Sequence, residues 1–380
     1  MRWTLLLLGA SVASASLKEI LADLSPSLPL SSFGKFHTIS LEDAKKGKDL
    51  IGKLIRPPLD PNPKLSPAPN PNPKLSPSEP TEPTEPTFQI LAAGCVGRTN
   101  MRTEWRRTSH DDRLAFLNAV KCLMNRPPSG RFSSATNRYE DFARLHQQKL
   151  SEIHQNDMFL VWHRYFVWTF EQVLRDECGF NRNYPWWDET KDAGRFAQAP
   201  VFTRDYFGSL PGPRNGQGVC ITDGVFAGIT CNIGPGLSNR PHCLSRAVNE
   251  AQTAQCNNDF VIACNQRTNY AAMHSCAETG PHGYGHNGIG SVMMDVAGSP
   301  SDPIFFMHHA FIDRNFRVWQ NEAQARWTTI NGVDSHGTPL TLDTVISVAG
   351  IRPDVRIRQI LDTLGGASIG GVPFCYRYDY

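Results

Sequence analysis

The stretch HQNDMFLVWHRYFVWTFE, residues 154–171, carries the strongest pattern in this sequence. Its second part opens a long apolar run that predicts a buried helix over residues 158–176, with Asp157 as the expected N-cap. Nine residues turn a helix through about 900°, so two histidines at this spacing on one straight helix point to opposite faces. His154 and His163 can therefore share a metal ion only if His154 precedes the helix. Asp157 places the helix boundary between them.

Histidines of this chain form two sets of three. His146 joins the pair just described, and the second set consists of His282, His286 and His309. His282 and His286 are spaced i, i+4 and share one helical face. Three glycines between residues 283 and 288 weaken that helix, so metal ligation would have to help hold it. His309 is preferred over its neighbour His308, because its helical face also carries large apolar residues.

Capping residues predict the other helices. Ser109 opens a helix that extends to about Leu123, and Ser40 caps one that extends to about Ile55. Asp302 followed by proline begins the helix that carries His309 and continues to about Gln320. Strand patterns are few and short. The sequence therefore predicts a mainly α domain with helices around a central site and long loops between them.

Net charge and the N-terminal sequence indicate which partners, compartment and domain boundaries to expect. A net charge of +2 over 380 residues gives no reason to expect a nucleic-acid or acidic-membrane partner. Residues 1–15 have a positive start, a short apolar run and an Ala-Ser-Ala end, which is typical of a cleaved signal peptide rather than a membrane span. Residues 57–87 are Pro-rich and repeat PNPKLSP and Glu-Pro-Thr, which predicts a semi-rigid linker.

Ten cysteines fit the same secreted compartment. Their number is even, and the chain has no C-x-x-C pair of the kind found in zinc knuckles or thioredoxin-like sites. Six of them lie between Cys220 and Cys276, in a stretch rich in Gly, Asn and Pro. That stretch has little core of its own, so we expect a long irregular excursion held by disulfides.

The ligand type narrows the metal. A single set of three histidines would suit catalytic zinc as well as copper. Two sets of three neutral imidazoles, with no carboxylate or thiolate in either, favour a pair of copper ions that bind O2 between them. Each ion would keep an open position for oxygen and substrate.

Two longer motifs surround these histidines. The first is His154-x4-Phe-Leu-x-Trp-His163-Arg-x2-Val-x3-Glu171, and the second is Asp302-Pro-x-Phe-Phe-x2-His309-x3-Asp313. In both, the chain resembles the tyrosinase, catechol oxidase and hemocyanin family of type 3 copper proteins. Arg102-x-Glu-Trp-Arg is similar to the start of the family's fungal and plant members, and Tyr-Arg-Tyr at 376–378 to its closing tyrosine motif. The resemblance covers residues 95–380.

This resemblance implies a four-helix bundle that holds a dicopper centre, with the two histidine triads as ligands. It also implies roles for four further residues. Phe305 would pack between the two metal sites, and Asp313 would accept a hydrogen bond that orients His309. Glu278 would hold a water near the coppers and act as proton acceptor. Val296, a small residue before the last helix, would leave the copper open to bulky substrates.

The chain also departs from the family pattern. Many fungal and plant members have a cysteine two residues before the second ligand, linked to it by a thioether, whereas this chain has Glu152. Members active on monophenols often carry asparagine directly after the fourth ligand, whereas this chain has Gly283 there and Asn287 after His286. These departures favour substrates that are already dihydroxylated. The resemblance also implies no C-terminal lid domain, since the chain stops at the tyrosine motif.

The sequence thus predicts a signal peptide at 1–15, an N-terminal segment and candidate propeptide at 16–56, a linker at 57–87 and a copper domain at 88–380. The expected activity is oxidation of o-diphenols to o-quinones with O2, with weak hydroxylation of monophenols. Oxidation of an o-aminophenol or a secondary-metabolite phenol at the same site is an alternative. Reversible O2 binding, as in hemocyanin, is another.

Overall fold

A computed structural model describes residues 25–48, 95, 97 and 99–380 of the chain. The predicted signal peptide and the Pro-rich linker lie outside the described residues. The described part is mainly helical with few short strands, which confirms the predicted fold class. None of its helices combines the length and the apolar composition needed to span a bilayer.

The helices and strands are numbered in chain order. The α-helices are α1 Leu41–Lys45, α2 His110–Met124, α3 Arg138–Ile153, α4 Phe159–Cys178, α5 Glu250–Thr253, α6 Asn258–Asn265, α7 Tyr270–Ala277, α8 Gly283–Ile289, α9 Ile304–Asn321 and α10 Ile357–Ile360. The strands are β1 Asn100–Glu104, β2 Tyr184–Trp186, β3 Val219–Cys220, β4 Thr230–Cys231, β5 His242–Cys243, β6 Ser245–Arg246, β7 Val345–Ile346, β8 Val355–Arg356, β9 Ser368–Ile369, β10 Val372–Pro373 and β11 Tyr376–Tyr378.

Side-chain caps explain where several helices begin. Ser109 accepts a hydrogen bond from the backbone N–H of Asp112 at the start of α2, as predicted. Asn137 caps α3 in the same way. Ser40 caps α1, but that helix ends at Lys45 rather than near Ile55, so the predicted length was wrong.

The predicted cap of α4 was also wrong. Asp157 is not the N-cap, because its carboxylate accepts hydrogen bonds from the N–H of Val333 at 2.7 Å and from His274 at 3.0 Å. The side chain of Asn156 instead accepts the N–H of Met158 at 3.1 Å. The helix boundary still falls between His154 and His163, as the metal-binding interpretation requires.

In the core of the bundle α4 packs against both α3 and α9. Helix α8 joins them through His286, whose ring contacts Phe305 of α9 at 5.8 Å. Aromatic side chains fill the space between α4 and α9. The rings of Phe170 and Phe306 stack face to face with centroids 3.5 Å apart. A five-residue π-helical turn, Glu278–His282, connects α7 to α8. It places His282 immediately before the helix that carries His286.

A small parallel sheet of order β11-β1-β2 connects the C-terminal end to the bundle. Arg102 of β1 is fully buried and donates to Glu171 of α4 at 3.1 Å. Its guanidinium also lies 3.7 Å from the ring centroid of Tyr376. The closing tyrosine motif is therefore part of the interior that fixes α4.

Disulfides hold the long excursion between α4 and α7 only in part. Four bonds form: Cys95–Cys375, Cys122–Cys178, Cys220–Cys243 and Cys264–Cys276. Of the six cysteines in the predicted excursion, Cys231 and Cys256 are free and buried. The excursion is thus held by two internal disulfides, Cys220–Cys243 and Cys264–Cys276.

Candidate metal centre

The three histidines of the first triad come from α3, from the residue that follows α3, and from α4. His146 projects from α3, His154 follows the end of that helix, and His163 lies one turn into α4. Their ring centroids are 5.0–5.5 Å apart, and all three rings are buried. One nitrogen from each can converge within 4.8 Å, which is close enough to hold a common ion.

The second triad lies on the π-helical turn, α8 and α9. His282 and His286 flank the first turn of α8 with centroids 4.5 Å apart, and His309 of α9 lies 5.1 Å from His282. The Nε2 atoms of His286 and His309 approach to 3.3 Å. The glycines of this region permit close packing: a Cβ at Gly285 would lie 2.4 Å from Cε1 of His308.

Hydrogen bonds to backbone carbonyls set the orientation of four of the six rings. The Nδ1 atoms of His146, His163, His282 and His286 each donate to a carbonyl oxygen, of Ala297, Phe159, Glu278 and Met293, at 2.7–3.0 Å. A neutral imidazole that donates through Nδ1 presents a lone pair on Nε2. The backbone therefore fixes the tautomer that a metal ion requires.

Most of the triad Nε2 atoms lack a hydrogen-bond partner in the part of the chain that the structure describes. The Nε2 atoms of His146, His154, His163 and His282 are buried and have no hydrogen-bond partner among the described residues. Buried polar atoms of a protein are normally satisfied, so such a concentration at one place indicates a bound group. Two sets of neutral nitrogen donors without thiolate fit a pair of copper ions.

Burial and mutual repulsion keep these imidazoles neutral, which is the form that binds a metal ion. Burial lowers the pKa of His146 to about 4. Burial, followed by repulsion from neighbouring imidazoles, lowers the pKa of the other five well below the ordinary histidine value. All six rings are therefore neutral at physiological pH.

The two triads face each other across a narrow gap. The rings of His163 and His309 stack with centroids 4.4 Å apart, and those of His154 and His282 with centroids 6.0 Å apart. Phe305 fills the space beside this gap. Its ring stacks on His309 at 4.0 Å and contacts His146 of the other triad at 5.3 Å. It thus packs against both metal sites and holds two rings in place.

His308 is a fourth histidine beside the second triad. Its Nδ1 is hydrogen bonded to Oε1 of the buried Glu189 at 2.6 Å. His309 has no comparable partner on its Nδ1 among the described residues. The Nε2 of His308 is also without a partner among the described residues, so hydrogen bonding alone does not separate the two histidines. His309 is supported as the third member of the triad because its ring stacks on His163 of the first triad at 4.4 Å and its Nε2 lies 3.3 Å from that of His286.

Asp313 does not have the role that the sequence suggested. Its carboxylate accepts hydrogen bonds from Arg164 at 2.6 Å, Tyr376 at 2.6 Å and Tyr378 at 2.7 Å, and no hydrogen bond from His309. Burial opposes ionisation, yet the guanidinium groups of Arg164 and then Arg102 lower the pKa of Asp313 below its ordinary value. Asp313 therefore pairs with two buried arginines, one of which also pairs with Glu171, and joins α9 to the closing sheet.

Glu278 lies at the edge of the site. Its Oε1 accepts the backbone N–H of Gln155 at 2.8 Å, and its Oε2 contacts Nε2 of His274 at 2.7 Å. His274 also donates through Nδ1 to Asp157, so both ring nitrogens are donors and the ring is an imidazolium. In agreement, hydrogen bonds to both carboxylates outweigh the opposing effect of burial and raise the pKa of His274 to about 9.

A cavity of about 240 Å³ reaches the first triad from the surface. His154, Glu278 and Val296 line it, together with residues of the N-terminal segment. Val296 is thus one of several residues that border the approach to the site. Glu152, which stands where many family members have a cysteine, pairs with Lys149 at 2.7 Å.

Sequence reasoning missed Phe36 and the partner of Asn287. The ring of Phe36 stacks on His286 with centroids 4.1 Å apart and also contacts His282 and His154. The amide of Asn287 binds the backbone of Phe36 through two hydrogen bonds. No local pattern marks this contact, because the partners lie 251 positions apart.

A buried pair of facing tri-histidine sites on four helices defines a type 3 dinuclear copper protein. A family model, the common central domain of tyrosinase, matches residues 136–322. The chain belongs to the tyrosinase family of type 3 copper proteins.

Individual relatives agree with this. Tyrosinase ustQ of Aspergillus flavus is 30% identical over 296 residues, which cover 73% of this chain and 79% of that protein. N-acetyl-6-hydroxytryptophan oxidase ivoB of Emericella nidulans is 28% identical over 345 residues, which cover 74% of this chain and 92% of that protein. A solved structure of a polyphenol oxidase variant from Thermothelomyces thermophila superposes with a TM-score of 0.66 at 28% identity and covers 75% of this chain and 90% of its own.

Proposed function

We propose that this protein is a secreted dicopper oxidoreductase that oxidises o-diphenols to o-quinones with O2 and hydroxylates monophenols only weakly. The observation that carries the proposal is the pair of facing triads, in which four Nε2 atoms have no hydrogen-bond partner among the described residues. His146, His154 and His163 would hold one copper ion, and His282, His286 and His309 the other. When bound, such a pair supplies the electron transfer between substrate and O2.

The overall reaction balances without another reductant. Two o-diphenols give up four electrons and four protons and become two o-quinones, and one O2 becomes two water molecules. The protein contributes position and exclusion of water. Backbone carbonyls orient the imidazoles, and Phe305 with Phe159 keeps the space between the triads apolar.

Glu278 is proposed as the proton acceptor for the substrate hydroxyl. It borders the cavity that reaches His154, and the N–H of Gln155 and the imidazolium of His274 hold its two oxygens in place. Each carboxylate oxygen keeps a second lone pair for a water or a hydroxyl.

The preference for o-diphenols follows from the groups around the second triad. Gly283 has no side chain to position a water, and both polar atoms of the Asn287 side chain are bound to Phe36. The extra proton transfer that a monophenol requires therefore lacks a dedicated amide at this place.

Secretion is supported by the pattern of residues 1–15 and by four disulfides. The linker at 57–87 and the copper domain from residue 88 remain the proposed boundaries.

The test combines copper quantitation with O2 uptake on the purified protein. We expect two coppers per chain, rapid O2 uptake with 4-tert-butylcatechol at one O2 per two diphenols, and much slower uptake with phenol or tyrosine. Because one relative is named as an oxidase of a hydroxytryptophan, an o-aminophenol and a hydroxyindole should be assayed alongside. A protein that binds two coppers but consumes no O2 with any of these would exclude the oxidase activity and leave reversible O2 binding.

A further inference from the structure

The N-terminal segment before the Pro-rich stretch lies across the mouth of the metal centre. The backbone N–H of Leu30 donates to Gly216 at 2.9 Å, and the N–H of Ile39 donates to Thr279 at 3.0 Å. Between these anchors the chain passes directly over α8. Its later part folds into α1, whose Ala44 is buried against Phe260 of α6. The segment is therefore docked at both ends on the copper domain.

Phe36 occupies the centre of this crossing. Its ring lies parallel to that of His286, with an angle of 24° between them, and meets the ring of His282 edge to face at 4.9 Å. It also contacts His154 of the other triad at 5.9 Å. Only 8% of Phe36 is exposed, so the ring is inserted rather than laid on the surface. Stacked and edge-to-face rings at these distances attract each other.

The cavities show that Phe36 stands on the access side. Phe36 and Lys35 line the cavity of about 240 Å³ that reaches His154. They also line a second cavity of about 600 Å³ that extends over Asn287 toward Met294. On their other faces the histidines are covered by core side chains such as Phe305 and by backbone carbonyls. Phe36 therefore lines both cavities and contacts the rings of His282 and His286, so a phenolic ring that approaches the second triad from this side meets the Phe36 ring.

Two features of the copper domain are matched to the segment. Asn287 accepts the N–H of Phe36 at 3.1 Å and donates to its carbonyl at 2.9 Å, so one amide holds both backbone groups of that residue. Gly283 leaves the space that the segment fills, since a Cβ there would lie 2.9 Å from the carbonyl oxygen of His37 and 3.0 Å from Cγ2 of Thr38. A larger residue at 283 would displace the segment.

We infer that residues 34–39, here termed the plug segment, form a built-in inhibitor whose Phe36 ring occupies the binding position of the substrate ring. The inference rests on the proposed function. Because the plug segment is part of the same chain, its effective concentration at the site is high and substrate must compete with it. Along the chain, the Pro-rich sequence at 57–87 joins residues 34–39 to the copper domain, so a cut within it would leave the plug segment held by non-covalent contacts alone.

The first test compares Phe36→Ala with the parent in the full, copper-loaded chain. If the plug segment occupies the site most of the time, the apparent affinity of a substrate is reduced by the fraction of open molecules. We therefore expect Phe36→Ala to lower KM for 4-tert-butylcatechol by about tenfold or more. Affinity for azide, which is small enough to enter the existing cavities, should change by less than about twofold.

Phe33→Ala is the matched control. It removes the same side chain from the same stretch, but Phe33 contacts His242, which belongs to neither triad. An equal fall in KM in both variants would show that general loosening suffices and would overturn the role of the Phe36 ring. An unchanged or higher KM in Phe36→Ala would show that the segment helps to bind substrate, which also overturns the proposal.

Hydrogen exchange gives a readout that does not depend on turnover. Benzoate, an aromatic ligand that cannot be oxidised at this site, should displace Phe36 and accelerate exchange of a peptide covering residues 34–39, while exchange in α4 stays unchanged. Asn287→Ala, which keeps the ring but removes both backbone hydrogen bonds, should accelerate the same peptide without ligand. Slower exchange on addition of benzoate would contradict displacement. If the protein showed no oxidase activity but the peptide covering residues 34–39 exchanged as expected, only the proposed oxidase function would be contradicted.

Discussion

The ring of Phe305 stacks on the ring of His309 with centroids 4.0 Å apart and an angle of 28° between the ring planes. Phe305 precedes His309 by one helical turn, so both side chains lie on the same face of α9. The same ring contacts His146 of the other triad at 5.3 Å. One side chain therefore fixes the relative position of ligands from two distant parts of the chain.

Replacement of Phe305 by alanine should loosen the metal centre as well as the core. A buried Phe→Ala change leaves a cavity and costs about 3–5 kcal/mol of unfolding free energy. We expect that loss in urea unfolding of the copper-free protein, together with faster loss of copper to a chelator. Phe311→Ala is the control, since Phe311 is also buried on α9 but has no ring contact with a triad histidine among the described residues. Equal copper retention in the two variants would contradict the role given to Phe305.

Asp313→Asn should destabilise the fold rather than release copper directly. The substitution leaves Arg102 and Arg164 buried without their shared carboxylate, and breaking such a pair costs about 3–5 kcal/mol. The pKa of Asp313 is depressed in the folded state, so its carboxylate stabilises the fold at pH values above the ordinary aspartate pKa. This stabilisation is lost as the pH falls through the depressed pKa. The variant should therefore show a flatter decline of stability in acid, measured by urea unfolding between pH 3 and 7.

Asp362→Asn provides the comparison for that experiment. Asp362 also pairs with an arginine, Arg317 at 2.8 Å, but its side chain retains 13% exposure. Its loss should cost less, because water can replace the carboxylate there. Copper release from Asp313→Asn at full stability would support the original sequence-based interpretation, in which Asp313 orients His309.

Cys231 and Cys256 should behave as two hidden thiols. Both are buried and outside the four disulfides, and burial raises the pKa of each thiol well above its ordinary value. The reactive thiolate is therefore scarce in the folded protein. Iodoacetamide should leave the native protein unlabelled and add two groups in denaturant without reductant, as read by mass spectrometry. Peptide mapping that finds either residue in a disulfide would contradict this pairing.

Local patterns in the sequence were sufficient for the triads and the main helices, because histidine spacing, caps and apolar runs act over a few residues. They failed where a distant partner competes for a side chain. Asp157 resembles a cap but binds His274 and Val333, and Asp313 resembles a partner of His309 but binds arginines and tyrosines. Phe36 gave no local indication at all, since its meaning depends on Asn287 and the folded site. Such long-range contacts follow only from the tertiary structure.

His274 should make stability depend on pH in the neutral to alkaline range. Its ring is held between Asp157 and Glu278, which raises the pKa to about 9. A histidine with a raised pKa in the folded state contributes fully below its unfolded pKa and loses that contribution as the pH rises through the folded value. His274→Gln should therefore destabilise the copper-free protein by on the order of 2–3 kcal/mol at pH 6 and by much less at pH 10. His336→Gln, which removes an imidazole at an exposed position, is the control. Urea unfolding at both pH values measures the difference, and an equal loss at pH 6 and pH 10 would show that the ring between the two carboxylates is not an imidazolium.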